Sequence, residues 1–313
     1  MKVFVLSGGV GGAKLAAGLD AVLPSENLTV VVNTADDFDL WGLRICPDLD
    51  TVMYTLAGIA NPETGWGIEG ESFAALDMLA RYGEDTWFKL GDRDLATHIL
   101  RTARLRAGEP LTGITTDLSD ALGVRSVILP MCDEPVATVL ETPEGPLEFQ
   151  EYFARRRQRD EVLATEVRGI EEAKPTDAVL QALAAADLVV FCPSNPVVSI
   201  GPILTVPGMS EALAAARAPR IAVSPIVGGR ALKGPADRML ASLGHEVSAA
   251  GVARMYEGLL DGMVVDTVDE EDRPEVEALG MRVLATNAIM HDAPDRERLA
   301  REILEFGAGL VWR

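Results

Sequence analysis

Lys2-Val3-Phe4-Val5-Leu6-Ser7-Gly8-Gly9-Val10-Gly11-Gly12-Ala13-Lys14, followed by an apolar stretch to Leu23 and then by Thr29-Val30-Val31-Val32-Asn33, is the stretch that decides the fold. Lys2 to Leu6 reads as a short buried strand, Gly8 to Gly12 as a turn, Ala13 to Leu23 as a helix ending near Pro24, and Thr29 to Asn33 as a second buried strand. Strand, glycine turn, helix and strand within about 30 residues make a βαβ unit, which implies a parallel sheet. Open parallel sheets bind ligands beyond the carboxyl ends of their strands, so the polar residues that follow each strand become the first candidates for function.

The same scheme recurs outward from this unit. Ser126 to Pro130, Leu188 to Phe191 and Arg220 to Ser224 are further short apolar runs, each ending in turn or polar residues. Between about 52 and 125 amphipathic helical spacing replaces the strand signal, with helices expected over Phe73 to Arg81 and Leu95 to Ala107. Glu134 to Phe153 alternates like strands around Pro143-Glu144-Gly145, which predicts a small antiparallel element. The C-terminal part, with Val264-Val265-Asp266, Arg282-Val283-Leu284 and a helix over Asp295 to Phe306, reads as α/β periphery. The fold class expected is therefore α/β: a doubly wound, mostly parallel, Rossmann-like sheet in one large domain, residues 1–313, with a helical insertion at about 52–125 and a small antiparallel element.

Composition limits the partners. With 28 Lys and Arg against 48 Asp and Glu the net charge is −20, and 48% hydrophobic residues suit a globular core. So acidic a chain is not expected to bind nucleic acid, whose phosphates are gripped by dense cationic patches. The cysteines Cys46, Cys132 and Cys192 are far apart and form no CxxC, which favours a reducing compartment. No apolar run reaches the roughly 18 residues of a membrane span. A cytoplasmic protein with small-molecule partners and no membrane partner is expected.

Five segments could carry chemistry. Ser7 to Lys14 sets glycines at a strand-to-helix turn, where backbone amides and a helix N-terminus suit a phosphate and Lys14 adds a cation. It matches neither familiar signature: a dinucleotide GxGxxG from Gly9 would need glycine at Lys14, and a P-loop would need glycine at Ala13. Asn33-Thr34-Ala35-Asp36-Asp37 and Pro47-Asp48-Leu49-Asp50-Thr51 together place four carboxylates after one strand, a hard-oxygen set that suits magnesium. The Pro47 segment reads as a turn whose alternation sends Asp48 and Asp50 to one side. Lys89 to His98 is a charged turn opening a helix, in which Asp92 suits an N-cap. The later loops Pro193 to Pro202 and Ser224 to Ala236 are rich in small residues and carry Lys233, as a nucleotide cradle requires. Arg155-Arg156-Arg157-Gln158-Arg159 reads as a solvated loop or an intersubunit contact, and neither it, His245 nor His291 is given a role.

Taken together, GGVGGAK at Gly8 to Lys14, NTADD at Asn33 to Asp37, PDLDT at Pro47 to Thr51, KLGDRDLATHI at Lys89 to Ile99, LPM at Leu129 to Met131, PSNPVVSIGPIL at Pro193 to Leu204, and SPIVGG with KGPA within Ser224 to Ala236 resemble the 2-phospho-L-lactate transferase family. They span residues 1 to about 255. The resemblance implies transfer of a phospho-2-hydroxyacyl group from a guanosine diphospho-linked donor to the ribityl hydroxyl of the deazaflavin Fo, with release of GMP, in coenzyme F-420 biosynthesis. It leaves lactyl, enolpyruvyl and glyceryl donors open. It implies magnesium, held by Asp37, Asp48 and Asp50, with Asp50 and Asp37 catalytic and Asp50, Lys89 and Asp92 on the deazaflavin. The glycine loop (Gly9, Gly11, Gly12, Lys14) and the later loops (Ser194, Asn195, Ser224, Gly228, Lys233) would hold the donor's phosphates and guanosine. A homodimer is expected from the same resemblance. Two other classes compete. A nicotinamide oxidoreductase would use Asp36 as its ribose-binding acid, and a non-catalytic nucleotide sensor would bind without turnover.

Overall fold

The computed structural model describes residues 1–310. Its centre is a seven-stranded parallel sheet of β1 (Val3–Ser7), β2 (Leu28–Val32), β3 (Val127–Pro130), β4 (Leu188–Phe191), β5 (Arg220–Val223), β6 (Gly262–Asp266) and β7 (Arg282–Thr286). The spatial order is β7-β6-β5-β4-β1-β2-β3. Chain order thus runs outward from β1 in one direction through β2 and β3, and in the other through β4 to β7. The reversal between β1 and β4 is the topological switch point, where a crevice opens.

Alternation along the strands builds a core on each face. Phe4, Leu6, Val189 and Phe191 pack on one face, while Val3, Val5, Leu188 and Val190 pack on the other. This period of two is why every residue of β1 and β4 is buried. Pro130 has no amide hydrogen to donate, and β3 is an edge strand, where that lack is tolerated.

Several boundaries differ from the sequence reading. Helix α1 (Gly9–Val22) begins four residues earlier than expected, so the glycines form its first turn. The close approach of the loop after β4 explains their type: a Cβ on Gly11 would lie 2.5 Å from the Pro193 carbonyl oxygen. Pro47 starts helix α2 (Pro47–Leu56) in place of the expected turn, with proline at a position whose amide needs no partner. The helical insertion continues with α3 (Ala74–Arg81), α4 (Asp92–Arg106) and α5 (Leu111–Ala121). The antiparallel element is a three-stranded sheet, because Ala164–Arg168 joins Ala137–Thr142 and Gly145–Glu148. The C-terminal runs are not periphery: β6 and β7 complete the central sheet, and helix Ala293–Ala308 packs against α1. Among the described residues no single helix is long and apolar enough to cross a membrane.

Candidate active site

A cavity of about 900 Å³ opens at the switch point, at the upper end of the range for small-molecule sites. The loops after β1 and β4 are joined at its base: the Gly8 amide donates to Ser194 Oγ at 3.1 Å, and that hydroxyl donates to the Gly8 carbonyl at 2.8 Å. Six aromatic side chains, Tyr54, Trp66, Trp87, Phe88, Phe149 and Phe153, line it in a chain only 5% aromatic. The wall also carries the cations Lys14, Lys89, Arg157 and Lys233. Lys14 Nζ donates to the Met290 carbonyl at 2.7 Å and Lys233 Nζ to the Thr64 carbonyl at 2.9 Å. Among the described residues no carboxylate forms an ion pair with any of these four. Burial, with Lys233 and Arg296 nearby, lowers the Lys14 pKa.

The acidic cluster divides into two sets because helix α2 turns its residues apart. Positions two apart on a helix point to nearly opposite sides, so Asp48 and Asp50 diverge instead of sharing one side. Asp48 accepts a hydrogen bond from Asn33 Nδ2 at 3.0 Å. Burial pushes its carboxyl up to about 6, against the pull of that hydrogen bond. Asp36 is raised further by burial, then by the charges of Asp48 and Asp37. Its Oδ1 is buried with no hydrogen-bond partner.

Asp50 faces α4. Both its oxygens accept from Arg101, Oδ2 from Nη1 at 3.0 Å and Oδ1 from Nη2. Arg101 is a fully buried side chain, and Asp50 holds its guanidinium charged against burial. Arg101 Nη1 also lies 3.2 Å from His98 Nδ1. Arginine only donates, so Nδ1 faces it as an acceptor, while Nε2 lies 3.2 Å from Asp94 Oδ1. Tyr54 completes the network by donating from its hydroxyl, with Asp94 Oδ1 and Thr97 Oγ1 each at 2.8 Å. Asp50, Asp94 and His98 are close enough to suggest a metal site, but the Arg101 guanidinium already supplies the cation there.

The predicted residues distribute unevenly. Gly9, Gly11, Lys14, Asp48, Asp50, Lys89, Ser194, Asn195, Ser224 and Lys233 stand on the cavity wall. Three of these polar groups shape the loops: Ser194 ties its loop to Gly8 as above, Asn195 Oδ1 caps Val197 N at 2.9 Å, and Ser224 Oγ bonds Ile226. Four predicted residues lie off the wall. Gly12 is packed so that a Cβ would meet Ser7 Oγ at 2.3 Å. Gly228, at φ +58, turns the hairpin between Ile226–Val227 and Arg230–Ala231, and its amide is held by Asp269. Asp92 caps a helix other than its own, accepting from the Ala74 and Ala75 amides of α3 at 3.0 and 2.9 Å. Asp37 points into the protein, 3.8 Å from Arg44 Nη2, where burial pushes it up to about 7 against the Arg44 charge.

The sequence shows Asp36 only as one of four clustered carboxylates, gives Arg101 no role and misses the segment Ala288 to His291, all of which form or support the site. Arg101 follows His98 by three positions, one turn along α4. That spacing was the available signal. The 288–291 segment carries none, being set there by β7.

A doubly wound parallel sheet whose switch-point cavity joins buried carboxylates, carboxylate-free cations and aromatic walls defines an α/β protein built around a small-molecule crevice. The profile of a single family, 2-phospho-L-lactate transferase CofD, matches residues 3–305, and the chain belongs to that family of transferases. It is 49% identical to the phosphoenolpyruvate transferase of Streptomyces griseus, with 98% of each chain covered. It is 42% identical to the 2-phospho-L-lactate transferase of Methanosarcina acetivorans, again over 98% of each. Among solved structures, a UPF0052-family protein of Bacillus halodurans superposes with a TM-score of 0.67 over 97% of this chain and 98% of that one, at 16% identity. That likeness shows the fold.

Proposed function

We propose that this transferase moves a phospho-2-hydroxyacyl group from a guanosine diphospho-linked donor to the ribityl hydroxyl of the deazaflavin Fo, releasing GMP, as a step of coenzyme F-420 biosynthesis. The observation that carries this reading is one cavity holding carboxylates and unpaired lysines together with an aromatic wall, as a diphosphate donor and a planar acceptor require. The higher identity to the Streptomyces griseus phosphoenolpyruvate transferase supports enolpyruvyl as the acyl group.

The hydroxyl oxygen attacks the phosphorus that carries the acyl group, the bond from that phosphorus to the GMP phosphate oxygen breaks, and GMP leaves with the electron pair. Asp50 is the group to accept the hydroxyl's hydrogen bond and take its proton, because each of its oxygens keeps a lone pair beyond its bond to Arg101. Lys14 and Lys233 meet the diphosphate charge, and Lys89 and the aromatic wall hold the acceptor. Positioning and charge neutralisation supply most of the rate in such transfers.

The Asp36 and Asp48 pair fits magnesium: Asp36 Oδ1 is buried without a partner, Asp48 accepts from a neutral amide, and among the described residues no cation pairs with either. Asp37 does not reach the cavity and Asp50 is already bound to a guanidinium, so neither belongs to this set. Bound there, magnesium supplies charge neutralisation for the donor diphosphate and the departing GMP. A homodimer belongs to the same proposal, and sedimentation at micromolar concentration as a monomer would remove it.

The test is GMP release, followed chromatographically, from the lactyl, enolpyruvyl and glyceryl donors with Fo and magnesium. Stoichiometric GMP and phosphoacylated Fo are expected. No GMP from any of the three would overturn the reading.

A further inference from the structure

Of the run Arg155-Arg156-Arg157-Gln158-Arg159, only Arg157 reaches the wall of the cavity. The two arginines before it are neutralised, Arg155 by Asp85 at 2.8 Å and Glu151 at 3.6 Å, and Arg156 by Glu144 at 3.0 Å and Asp160 at 3.5 Å. Among the described residues neither Arg157 nor Arg159 has such a partner, and of these two only Arg157 stands on the cavity wall.

The backbone points the same way. Arg157 has φ +56 and Gln158 φ +58, two successive side-chain-bearing residues in the left-handed region that favours glycine. Such a conformation persists only where its surroundings over-determine it. Here the Gln158 amide donates to the Tyr152 carbonyl at 2.9 Å and the Arg156 amide to the Glu151 carbonyl at 2.9 Å. Arg238 Nη1 donates to the Gln158 carbonyl at 3.5 Å. Tyr152 is itself buried in a cluster with Leu140, Val198 and Met239. The turn is thus anchored in the core, and it sets Arg157 on the same segment that presents Phe149 and Phe153 to the cavity.

We propose that Arg157 binds the carboxylate of the transferred phosphoacyl group and makes the enzyme select a 2-phospho-carboxylate over a plain phosphate ester. This rests on the transferase reading above. The guanidinium fork matches a carboxylate bidentately, which the point charges of Lys14, Lys89 and Lys233 do not. Lactyl, enolpyruvyl and glyceryl groups all carry that carboxylate beside the phosphorylated oxygen, so one arginine serves any of them.

The test compares the parent with Arg157→Gln and Arg157→Lys, using the donor, a donor analogue with carboxamide in place of carboxylate, and GDP. For Arg157→Gln, kcat/KM for the donor is expected to fall about 10- to 100-fold, as for loss of a charge-assisted pair, with partial recovery in Arg157→Lys. GDP affinity by calorimetry, the KM for Fo and the melting temperature should stay at parent values. The carboxamide donor should be poor for the parent and no poorer for Arg157→Gln. A tenfold loss of GDP affinity would assign Arg157 to the diphosphate, a raised KM for Fo would assign it to the acceptor, and unchanged kinetics would leave it on the surface. Each of these overturns the proposal. If the parent releases no GMP, the transferase reading is what fails. Calorimetry with phosphoenolpyruvate then decides on Arg157: tenfold weaker binding to Arg157→Gln supports it, and equal binding overturns it.

Discussion

Asp48 and Asp50 are two residues apart, and their environments give them different vulnerabilities. Removing the charge of Asp50 leaves Arg101 buried and unpaired, a loss of about 3–5 kcal/mol by analogy with broken buried ion pairs. Asp50→Asn should therefore lower the melting temperature steeply as well as turnover. Asp48 has a neutral partner and a carboxyl already raised by burial, so Asp48→Asn should melt within a few degrees of the parent while turnover falls about 10²- to 10³-fold. Paired thermal melts and single-turnover GMP release check both, and equal melting behaviour would contradict the partition. Asp37 permits a pH test. Its folded pKa of about 7 lies above its unfolded value, so the folded state holds the extra proton and Asp37 costs stability as pH rises from about 4 to 7. Replacing it by Asn removes that slope. The stability of Asp37→Asn relative to the parent should rise by on the order of 4 kcal/mol between pH 4 and pH 8, measured by urea unfolding. A flat difference would show that Asp37 ionises freely in the folded protein.

Elements position the site by where they begin and turn. Helix α2 starts at Pro47, and this start, more than the identity of the acids, sends Asp48 toward Asn33 and Asp50 toward α4. Asp92 stands at the first position of α4 but caps α3, so it ties two insertion helices together. The turn at Arg157 and Gln158 is the strained element. Gln158 does not reach the cavity wall, and glycine accepts its φ of +58. Gln158→Gly should stabilise the protein by about 1 kcal/mol, the left-handed penalty of a side chain, and leave donor KM unchanged. A lower melting temperature would mean that the Gln158 side chain makes contacts worth more than the strain.

The whole molecule is a frame that brings distant loops to one crevice. Gly8 and Ser194 meet across 186 positions, and Lys14 and Met290 across 276. A ligand that spans these loops must stabilise the fold as a unit. GDP with magnesium at about 100 times its dissociation constant should add roughly 2.7 kcal/mol, visible as a melting shift of several degrees. NAD should produce none, since the glycine loop lacks dinucleotide spacing. A shift with NAD and none with GDP would exclude the proposed donor chemistry.

What the amino-acid sequence determined by itself was the local order: buried strands at β1, β2, β4 and β5, the helix after the glycines, and a crevice at strand carboxyl ends. Those features rest on periodicity and turn chemistry, which act over a few residues. Strands β6 and β7 were visible as apolar runs, yet their place in the central sheet depends on β6 pairing with β5 and β7 with β6, which no local pattern states. The site was legible as a set of polar residues after strands. Its division was not: read as a turn with a period of two, Pro47 to Thr51 puts Asp48 and Asp50 together, whereas the helix it forms separates them. Only tertiary structure decided that Asp36 and Asp48 find no cation among the described residues while Asp50 has Arg101, 51 residues away. Charge partners, burial and the resulting pKa are properties of what the fold brings near, and the chain reaches those neighbours only once the sheet has assembled.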